Sequence, residues 1–320
     1  MIGDGAKARQ CAHALINHGR GRFRLAGVVR PADAERFFFP PAADHPDVER
    51  DLGNRGDVAL KRLPARVVVA LDDRRGSMPV DRLVDLRFRG VEVQDVATFL
   101  EELTGKIPVL SIHPADLAYG PGFRLSRAKT IAKVGGEYLL AIAMCAIALP
   151  IIALAALGIL IETGRPIFYT QERVGLRGRI FRVIKLRTMV KDAEKNGPQF
   201  SRSDDARITR FGRFLRQTRI DELPQLINVM KGEMALVGPR PERPMFVEQY
   251  RELTPYFAFR HSVRPGITGW AQVCYGYTAG NSETLEKLSY DLYYIKNFSP
   301  WLDFRILVKT VQTVLGMEGL

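Results

Sequence analysis

The feature that most constrains this chain is an apolar run, residues 138–161, that contains no Asp, Glu, Lys or Arg. Its 24 residues are enough for a helix to cross the hydrocarbon core of a bilayer. A buried helix of a soluble protein is the alternative, but such helices seldom run this long without a polar face. The run therefore predicts a membrane segment.

Two details of this run favour a re-entrant segment over a spanning one. Pro150 lies at its centre, where it removes a backbone hydrogen bond and favours a break. Positive charge normally marks only the cytoplasmic side, yet both flanks are basic, with Arg124, Arg127, Lys129 and Lys133 before the run and Arg165, Arg173, Arg177, Arg179, Arg182, Lys185 and Arg187 after it. We therefore expect the segment to turn near Pro150 and to leave by the face that it entered. An ordinary span is the alternative.

The composition is that of a folded protein with an anionic partner. Its 320 residues suggest two domains. The 47 Lys and Arg against 35 Asp and Glu give a net charge of +12, which favours nucleic acid, phosphorylated substrates or a membrane surface without choosing among them. No two of the three cysteines form a CxxC pair, so a disulfide framework or zinc site is not expected and a reducing compartment fits best.

Residues 1–110 predict a Rossmann-like α/β domain with a parallel sheet. Strands at 24–29, 66–71 and 91–95 alternate with helices at 6–18, 80–88 and 97–103. Gly3 and Gly5 resemble the turn after a first strand, most of which is missing, so we expect an N-terminally truncated domain. A phosphate-binding turn is the weaker interpretation of these glycines, and a packing device is the stronger one.

The rest of the chain predicts a linker over residues 111–133 and an α-rich α+β domain over residues 134–320. Two strands, 166–174 and 179–186, predict a hairpin. A helix at 207–219 fits a headgroup layer, because apolar residues (Ile208, Phe211, Leu215) share it with arginines (Arg207, Arg210, Arg213, Arg216, Arg219). A solvated basic face on a core helix is the alternative.

An acidic pair, Asp221 and Glu222, follows this helix, and Pro224 suits the first turn of the next one. The helix dipole would then favour ionised carboxylates. An ionised aspartate among arginines is suited to attack a diphosphate, since the cations neutralise the charge of the substrate. An ordinary acidic N-cap is the alternative.

Further motifs add cations and one more carboxylate. Prolines on both sides of Arg240 restrict its backbone. A rigid basic loop over residues 260–272 follows, and Asp291 lies on a helix four residues after Lys287. The loop can be purely structural, and Asp291 can simply pair with Lys287. Together these residues predict metal-assisted chemistry on a lipid-linked or nucleotide diphosphate.

From about residue 133 onward, the chain resembles the bacterial sugar transferases, that is, the monotopic phosphoglycosyl transferases. The motifs that carry this resemblance are Lys185-Leu186-Arg187-Thr188-Met189, Asp221-Glu222-Leu223-Pro224-Gln225, Pro239-Arg240-Pro241, the run from Arg264 to Gln272, and Tyr290-Asp291-Leu292-Tyr293-Tyr294. The N-terminal part is similar to larger exopolysaccharide members, including those associated with PEP-CTERM sorting systems. Those members usually begin with transmembrane helices.

The resemblance implies transfer of a sugar 1-phosphate from a UDP-sugar to undecaprenyl phosphate, with release of UMP, as the first step of exopolysaccharide synthesis. It implies Mg²⁺ and a covalent intermediate on Asp221, with Glu222 as metal ligand or base. It also implies a helix break at Pro150, where small members carry a serine before the proline and this chain has Leu149. The expected metal ligands are Asp221, Glu222 and Asp291, and the expected substrate or phosphate ligands are Lys185, Arg187, Arg216, Arg240, Arg260 and Arg264.

The same resemblance places the protein at the bacterial inner membrane, with the catalytic domain on the cytoplasmic face. UDP-glucose is the first expectation for the donor and UDP-galactose the second. A homodimer is possible, and no nucleic-acid partner is expected. The alternatives are a non-catalytic membrane scaffold of a polysaccharide assembly and a soluble basic protein that binds nucleotides or nucleic acid. The intact acidic pair argues against the first, and the uncharged run argues against the second.

Overall fold

The computed structural model describes residues 1–3, 5–18, 23–30, 64–73, 78–109, 122–123, 126–193, 195, 205–275 and 281–316. Helices and strands are mixed along the chain, which divides into two compact units, Met1–Ile107 (the N-terminal unit) and Pro108–Leu320 (the C-terminal unit). Most of the predicted linker lies outside the described residues. Its last seven residues, 127–133, belong to the long helix that follows.

The N-terminal unit contains a parallel β-pair between helices. Its elements are α1 (Ala6–His18), β1 (Arg66–Val69), α2 (Val80–Phe88), β2 (Glu92–Asp95) and α3 (Val96–Thr104). Ile2 adds parallel bridges to Val29 and Val69. Alternate residues of β1 enter two apolar clusters, one against α2 and one against α1 and α3, so both faces are covered as in other parallel sheets. The predicted strand at 24–29 is reduced to the bridge at Val29.

The glycine turn at the start of this unit is filled by a side chain. The Asp72 carboxylate accepts hydrogen bonds from the backbone N–H groups of Ala6 (2.7 Å) and Lys7 (2.9 Å), at the first turn of α1. A Cβ on Gly5 would lie 2.0 Å from Asp72 Oδ2. Because a carboxylate occupies the N–H groups that a phosphate would use, the turn favours the interpretation of Gly3 and Gly5 as a packing device.

The C-terminal unit is built around one long helix, two strand pairs and shorter helices. Its elements are α4 (Arg127–Thr163), β3 (Phe168–Val174), β4 (Ile180–Leu186), α5 (Arg210–Gln217), α6 (Gln225–Met230), β5 (Ala235–Val237), α7 (Pro244–Leu253), β6 (Gly266–Thr268), α8 (Trp270–Tyr275), α9 (Asn281–Lys296) and α10 (Pro300–Leu315). β3 and β4 form the predicted antiparallel hairpin, and β5 pairs with β6 in parallel.

Helix α4 is 37 residues long and includes the predicted membrane segment. It is long and apolar enough to cross a membrane, and its most apolar stretch is only 17% buried. One face is buried through Ala141, Ala148, Ala155 and Ile159, while large apolar side chains such as Leu139, Leu154 and Ile161 are exposed on the remaining surface. This arrangement fits association with a membrane.

The helix runs through Pro150 without a non-helical residue. The expected interruption at this position is therefore not present, and the re-entrant course is not confirmed. A proline removes one intrahelical hydrogen bond and can bend a helix, but its φ of about −65° is itself helical, so the residues on either side can stay helical.

The C-terminal half of α4 packs on the rest of its unit. Ala155 and Ile159 form a buried cluster with Leu186 of β4 and Leu215 of α5, and Phe211 packs against it. The face of α5 that was expected in a headgroup layer is thus largely a core face. α5 is also shorter than the predicted 207–219, because the Thr209 side chain accepts from Gly212 N–H and caps the helix.

Candidate active site

The acidic pair lies in a short 3₁₀ turn, Ile220–Glu222, that leads into α6. Arg219 precedes the turn with φ +59°, a left-handed conformation that reverses the chain after α5. Both carboxylate residues are buried, with only 8% of Asp221 and 7% of Glu222 exposed. Burial of two adjacent acids is costly unless cations compensate for it, so their neighbours determine what this turn can do.

Two cations from distant parts of the chain hold Glu222. Its Oε1 accepts hydrogen bonds from Lys185 Nζ on β4 at 2.6 Å and from Arg240 Nη2 at 2.8 Å. Burial opposes ionisation of Glu222, but the charges and hydrogen bonds of Arg240 and Lys185 outweigh it and hold its pKa well below the ordinary value. Glu222 is therefore a carboxylate that fixes two cations in place.

Asp221 has a different environment from its neighbour. Burial raises its pKa to about 6; the positive charge of Lys185 opposes this rise and the negative charge of Glu222 adds to it. The positive charge of Arg216 also favours the ionised form, while the Arg216 Nε itself donates to Thr188 Oγ1 at 2.8 Å. Among the residues described, no side chain forms a hydrogen bond or ion pair with the Asp221 carboxylate. Asp221 is thus a mostly ionised carboxylate at pH 7 whose oxygens are available.

A second buried pair lies beside Arg240. Arg260 Nη2 donates to Asp291 Oδ2 at 2.8 Å and to the backbone carbonyl of Arg240 at 2.9 Å. Burial raises the pKa of Asp291 to about 6 against the opposing charge of Arg260. Asp291 therefore pairs with Arg260, rather than with Lys287 as the spacing along the helix had suggested.

Two predicted anion ligands form no hydrogen bond or ion pair with the acidic pair in the described part of the chain. Arg187 Nη2 donates to Thr163 Oγ1 at 2.5 Å and to the carbonyl of Gly164 at 2.7 Å, so it holds the end of α4. Arg264 precedes β6, and its side chain has no hydrogen bond or ion pair among the described residues. The structure thus brings Lys185 and Arg240 to Glu222, with Arg216 acting on Asp221 through its charge, and leaves Arg187 and Arg264 outside this group.

A sequence model of the bacterial sugar transferase family matches residues 128–317, more than half of the chain. The chain belongs to the bacterial sugar transferase family. The resemblance carried by the motifs is thereby confirmed, and the matched region contains the acidic pair together with each cation described above.

The chain is also similar to several characterised relatives. It is 38% identical over 281 residues to the UDP-N-acetylgalactosamine-undecaprenyl-phosphate N-acetylgalactosaminephosphotransferase of Aeromonas hydrophila. The aligned residues make up 88% of this chain and 66% of that relative. Proteins named UDP-glucose:undecaprenyl-phosphate glucose-1-phosphate transferase match from Escherichia coli (37% over 251 residues, 75% of this chain, 52% of the relative) and Caulobacter vibrioides (39% over 234 residues, 68% and 86%). The chain therefore spans about two thirds of the first relative and about half of the second.

The donor set for a metal ion in this sugar transferase is small. Among the described residues, no group of three His, Cys, Asp or Glu side chains could hold a metal ion, so Asp291 does not join Asp221 and Glu222 in a three-carboxylate site. Mg²⁺ commonly takes only one or two carboxylates from a protein and completes its shell with water and substrate phosphates. The available Asp221 oxygens and the adjacent Glu222 fit that pattern.

Asn228 is a buried residue beside the strand of Lys185 that the motifs did not indicate. This fully buried side chain accepts from Ile184 N–H at 3.1 Å and donates to the Arg182 carbonyl at 2.8 Å and to Glu233 Oε2 at 2.7 Å. It thereby ties α6 to β4, the strand that carries Lys185. An amide within the apolar run of residues 226–230 was the signal that could have identified it.

Proposed function

We propose that this protein transfers a sugar 1-phosphate from a UDP-sugar to undecaprenyl phosphate, releases UMP, and so begins synthesis of an exopolysaccharide. The observation that carries this proposal is the asymmetric acidic pair. Glu222 is held by Lys185 and Arg240, while Asp221 is buried, mostly ionised and free of hydrogen bonds from the described residues. The names of the relatives add the class of donor and acceptor.

In the first half-reaction, a carboxylate oxygen of Asp221 attacks the phosphorus that bears the sugar. An O–P bond to Asp221 forms, the phosphoanhydride bond breaks, and UMP leaves with the bridging oxygen and its electron pair. The charges of Lys185, Arg216 and Arg240 stabilise the negative charge that develops on the phosphate oxygens. Arg240 and Lys185 are already fixed by Glu222, so little reorganisation is needed.

In the second half-reaction, an oxygen of undecaprenyl phosphate attacks the same phosphorus and displaces the Asp221 carboxylate. The new phosphoanhydride joins the lipid phosphate to the sugar 1-phosphate, and Asp221 is regenerated. A covalent intermediate lets one set of cations serve a soluble donor and then a lipid acceptor. Mg²⁺ held by Asp221 and Glu222 would supply further charge neutralisation on the donor phosphates.

We infer that both ends of α4 lie on the cytoplasmic side of the bacterial inner membrane. Glu137, near the start of the helix, accepts from Val237 N–H at 3.2 Å, and Glu162, near its end, accepts from Phe211 N–H at 3.0 Å. The apolar run between them is about 36 Å long as a helix, more than the roughly 30 Å hydrocarbon core. A helix that crossed the bilayer would carry its two ends to opposite sides, whereas both contact one unit.

For the donor, we rank UDP-glucose first and UDP-galactose second, on family analogy. The Aeromonas relative named for N-acetylgalactosamine adds UDP-N-acetylgalactosamine to the donors to be tested. No residue that the structure describes distinguishes these sugars, so the donor must be identified by assay.

The test is UMP release by purified protein from a panel of UDP-sugars, with undecaprenyl phosphate and Mg²⁺ in detergent or nanodiscs. We expect UMP from one donor, and a mass increase on the protein when the acceptor is left out. Asp221→Asn should abolish both signals, because a neutral amide is a poor nucleophile. Asp81→Asn, at an exposed position of α2 in the N-terminal unit, is the matched control and should retain both.

Appreciable turnover by the Asp221→Asn variant would rule out the covalent step on this residue. Absence of UMP across the whole panel would instead favour the non-catalytic scaffold. Omission of Mg²⁺ with added chelator should stop labelling of Asp221, which tests the metal requirement separately.

A further inference from the structure

A buried ionic cluster lies between the start of α4 and the strand that leads to Arg240. Lys133 Nζ is within hydrogen-bond distance of Asp303 Oδ2 (2.8 Å), Glu137 Oε1 (2.8 Å), the Val237 carbonyl (3.0 Å) and the Tyr294 hydroxyl (3.1 Å). The side chains of Lys133, Glu137 and Asp303 are only 8%, 10% and 11% exposed. One ammonium group, with three protons, thus connects α4 to β5, α9 and α10.

The cluster binds both backbone groups of a single residue, Val237. The Val237 N–H donates to Glu137 Oε1 at 3.2 Å, and its carbonyl lies 3.0 Å from Lys133 Nζ and 3.1 Å from the Tyr294 hydroxyl. The same hydroxyl is 2.8 Å from Asp303 Oδ1, so its proton is shared between two acceptors. Each of the four side chains therefore binds Val237 or a partner of Val237.

β5 needs this support because it is short and has one strand partner among the described residues. It consists of Ala235–Val237 and pairs only with β6 there, through Ala235 to Gly266 and Val237 to Thr268. Its other edge would expose backbone groups in a buried position, which is unfavourable. The side chains of Lys133 and Glu137 take the place of a neighbouring strand.

The position of Val237 determines where Arg240 begins. Only Gly238 and Pro239 separate the two residues, and a Cβ on Gly238 would lie 2.4 Å from the Arg264 carbonyl, so this segment is closely packed. The prolines on either side restrict the Arg240 backbone. A shift of Val237 would therefore move the Arg240 guanidinium relative to Glu222 Oε1, from which it is now 2.8 Å.

We propose that Lys133, Glu137, Tyr294 and Asp303 are positioning residues that fix Val237 and thereby hold Arg240 against Glu222. The membrane helix thus supplies part of the support of the active site as well as an anchor. The effect on catalysis rests on the proposed function, because it acts through Arg240. The support of β5 by the cluster is independent of the proposed function.

The structural part is tested by hydrogen exchange of the Leu236, Val237, Gly238 and Arg240 amides in Tyr294→Phe, which removes one hydroxyl and keeps the ring. We expect the Val237 and Gly238 amides to exchange roughly 3- to 10-fold faster, as loss of one hydrogen bond predicts. Tyr275→Phe is the matched control, since its hydroxyl has no hydrogen bond among the described residues. Unchanged exchange in Tyr294→Phe would overturn the proposal, whether or not the protein is active.

The catalytic part is tested by the rate of covalent labelling of Asp221 by the donor. Tyr294→Phe should lower this rate roughly 10-fold, because small displacements of positioning groups reduce rates strongly. In an Arg240→Ala background, the same substitution should have no further effect, since the group that it positions is absent. Independent, multiplicative effects in the double variant would overturn the positioning role.

A pair of charge variants on α4 provides an independent comparison. Lys133→Met and Arg127→Met each remove one positive charge near the membrane, but Arg127 is exposed at the helix start and does not contact Val237. Lys133→Met should reproduce the faster exchange, and Arg127→Met should not. Equal effects of the two would assign the change to membrane charge and overturn the proposal. If the wild-type protein shows no labelling with any donor, the proposed function fails. The exchange comparison between the variants still tests whether the cluster holds Val237.

Discussion

Substitution of Lys185 by methionine should change the pH at which Asp221 becomes a nucleophile. Burial raises the pKa of Asp221 to about 6, and among the charges that oppose this rise Lys185 has the largest effect. Methionine removes the positive charge and keeps a similar length. Arg240 still holds Glu222 at 2.8 Å, so Glu222 stays ionised and continues to disfavour a second negative charge on Asp221.

The size of this change follows from the proximity of the groups. The charge of Lys185 is the largest that opposes the raised pKa of Asp221, and loss of a nearby opposite charge raises a carboxyl pKa by about one to three units. At pH 7, the ionised fraction of Asp221 would fall from about nine tenths to about half or less. Labelling should therefore be slow at pH 7 and recover towards pH 9.

The assay is the rate of covalent labelling of Asp221 between pH 5 and 9, by rapid quench and intact mass. The sign is fixed by the chemistry: the ionised carboxylate attacks, so the rate rises with pH through the pKa of Asp221. Lys231→Met, at an exposed lysine after α6, should leave the midpoint at the wild-type value. A Lys185→Met profile that is lower at every pH but has the same midpoint would refute the electrostatic argument.

Two further predictions concern stability. Arg260→Ala leaves the buried carboxylate of Asp291 without its partner at 2.8 Å. This should lower the free energy of unfolding by about 3–5 kcal/mol and the apparent Tm by roughly 10 °C. A decrease in the free energy of unfolding below about 1 kcal/mol would contradict the buried pair. Gly158→Ala places a Cβ 2.4 Å from Phe211 Cε1 and should destabilise the packing of α4 by about 1–3 kcal/mol, whereas Gly135→Ala, with open space around its Cβ on the same helix, should be neutral or stabilising. Thermal unfolding in detergent measures both, and equal effects of the two glycine variants would contradict the close contact.

Features that depend on neighbouring residues in the chain could be predicted well. The β3–β4 hairpin and helix 80–88 follow from local periodicity and turn residues. The apolar run of α4 and the acidic pair were likewise evident, because length, charge and motif order are properties of the sequence. The predicted roles of Asp221, Glu222 and the metal stay predictions.

Features that depend on packing between distant segments could not be predicted. The partner of Asp291 is Arg260, 31 residues away in the chain, and not Lys287 on the same helix. Arg187 donates to the end of α4, while its predicted role as a phosphate ligand stays a prediction, and the helix continues through Pro150.

The sequence by itself determined which segments are apolar and where the acids and arginines stand along the chain. Only the tertiary structure decided that Lys185 and Arg240 meet at Glu222, and that Lys133 of the long helix reaches Val237, 104 residues away. The physical reason is that a charged side chain buried during folding takes the opposite charge or carbonyl that packing brings near it. Sequence spacing constrains that choice only within one helix or hairpin.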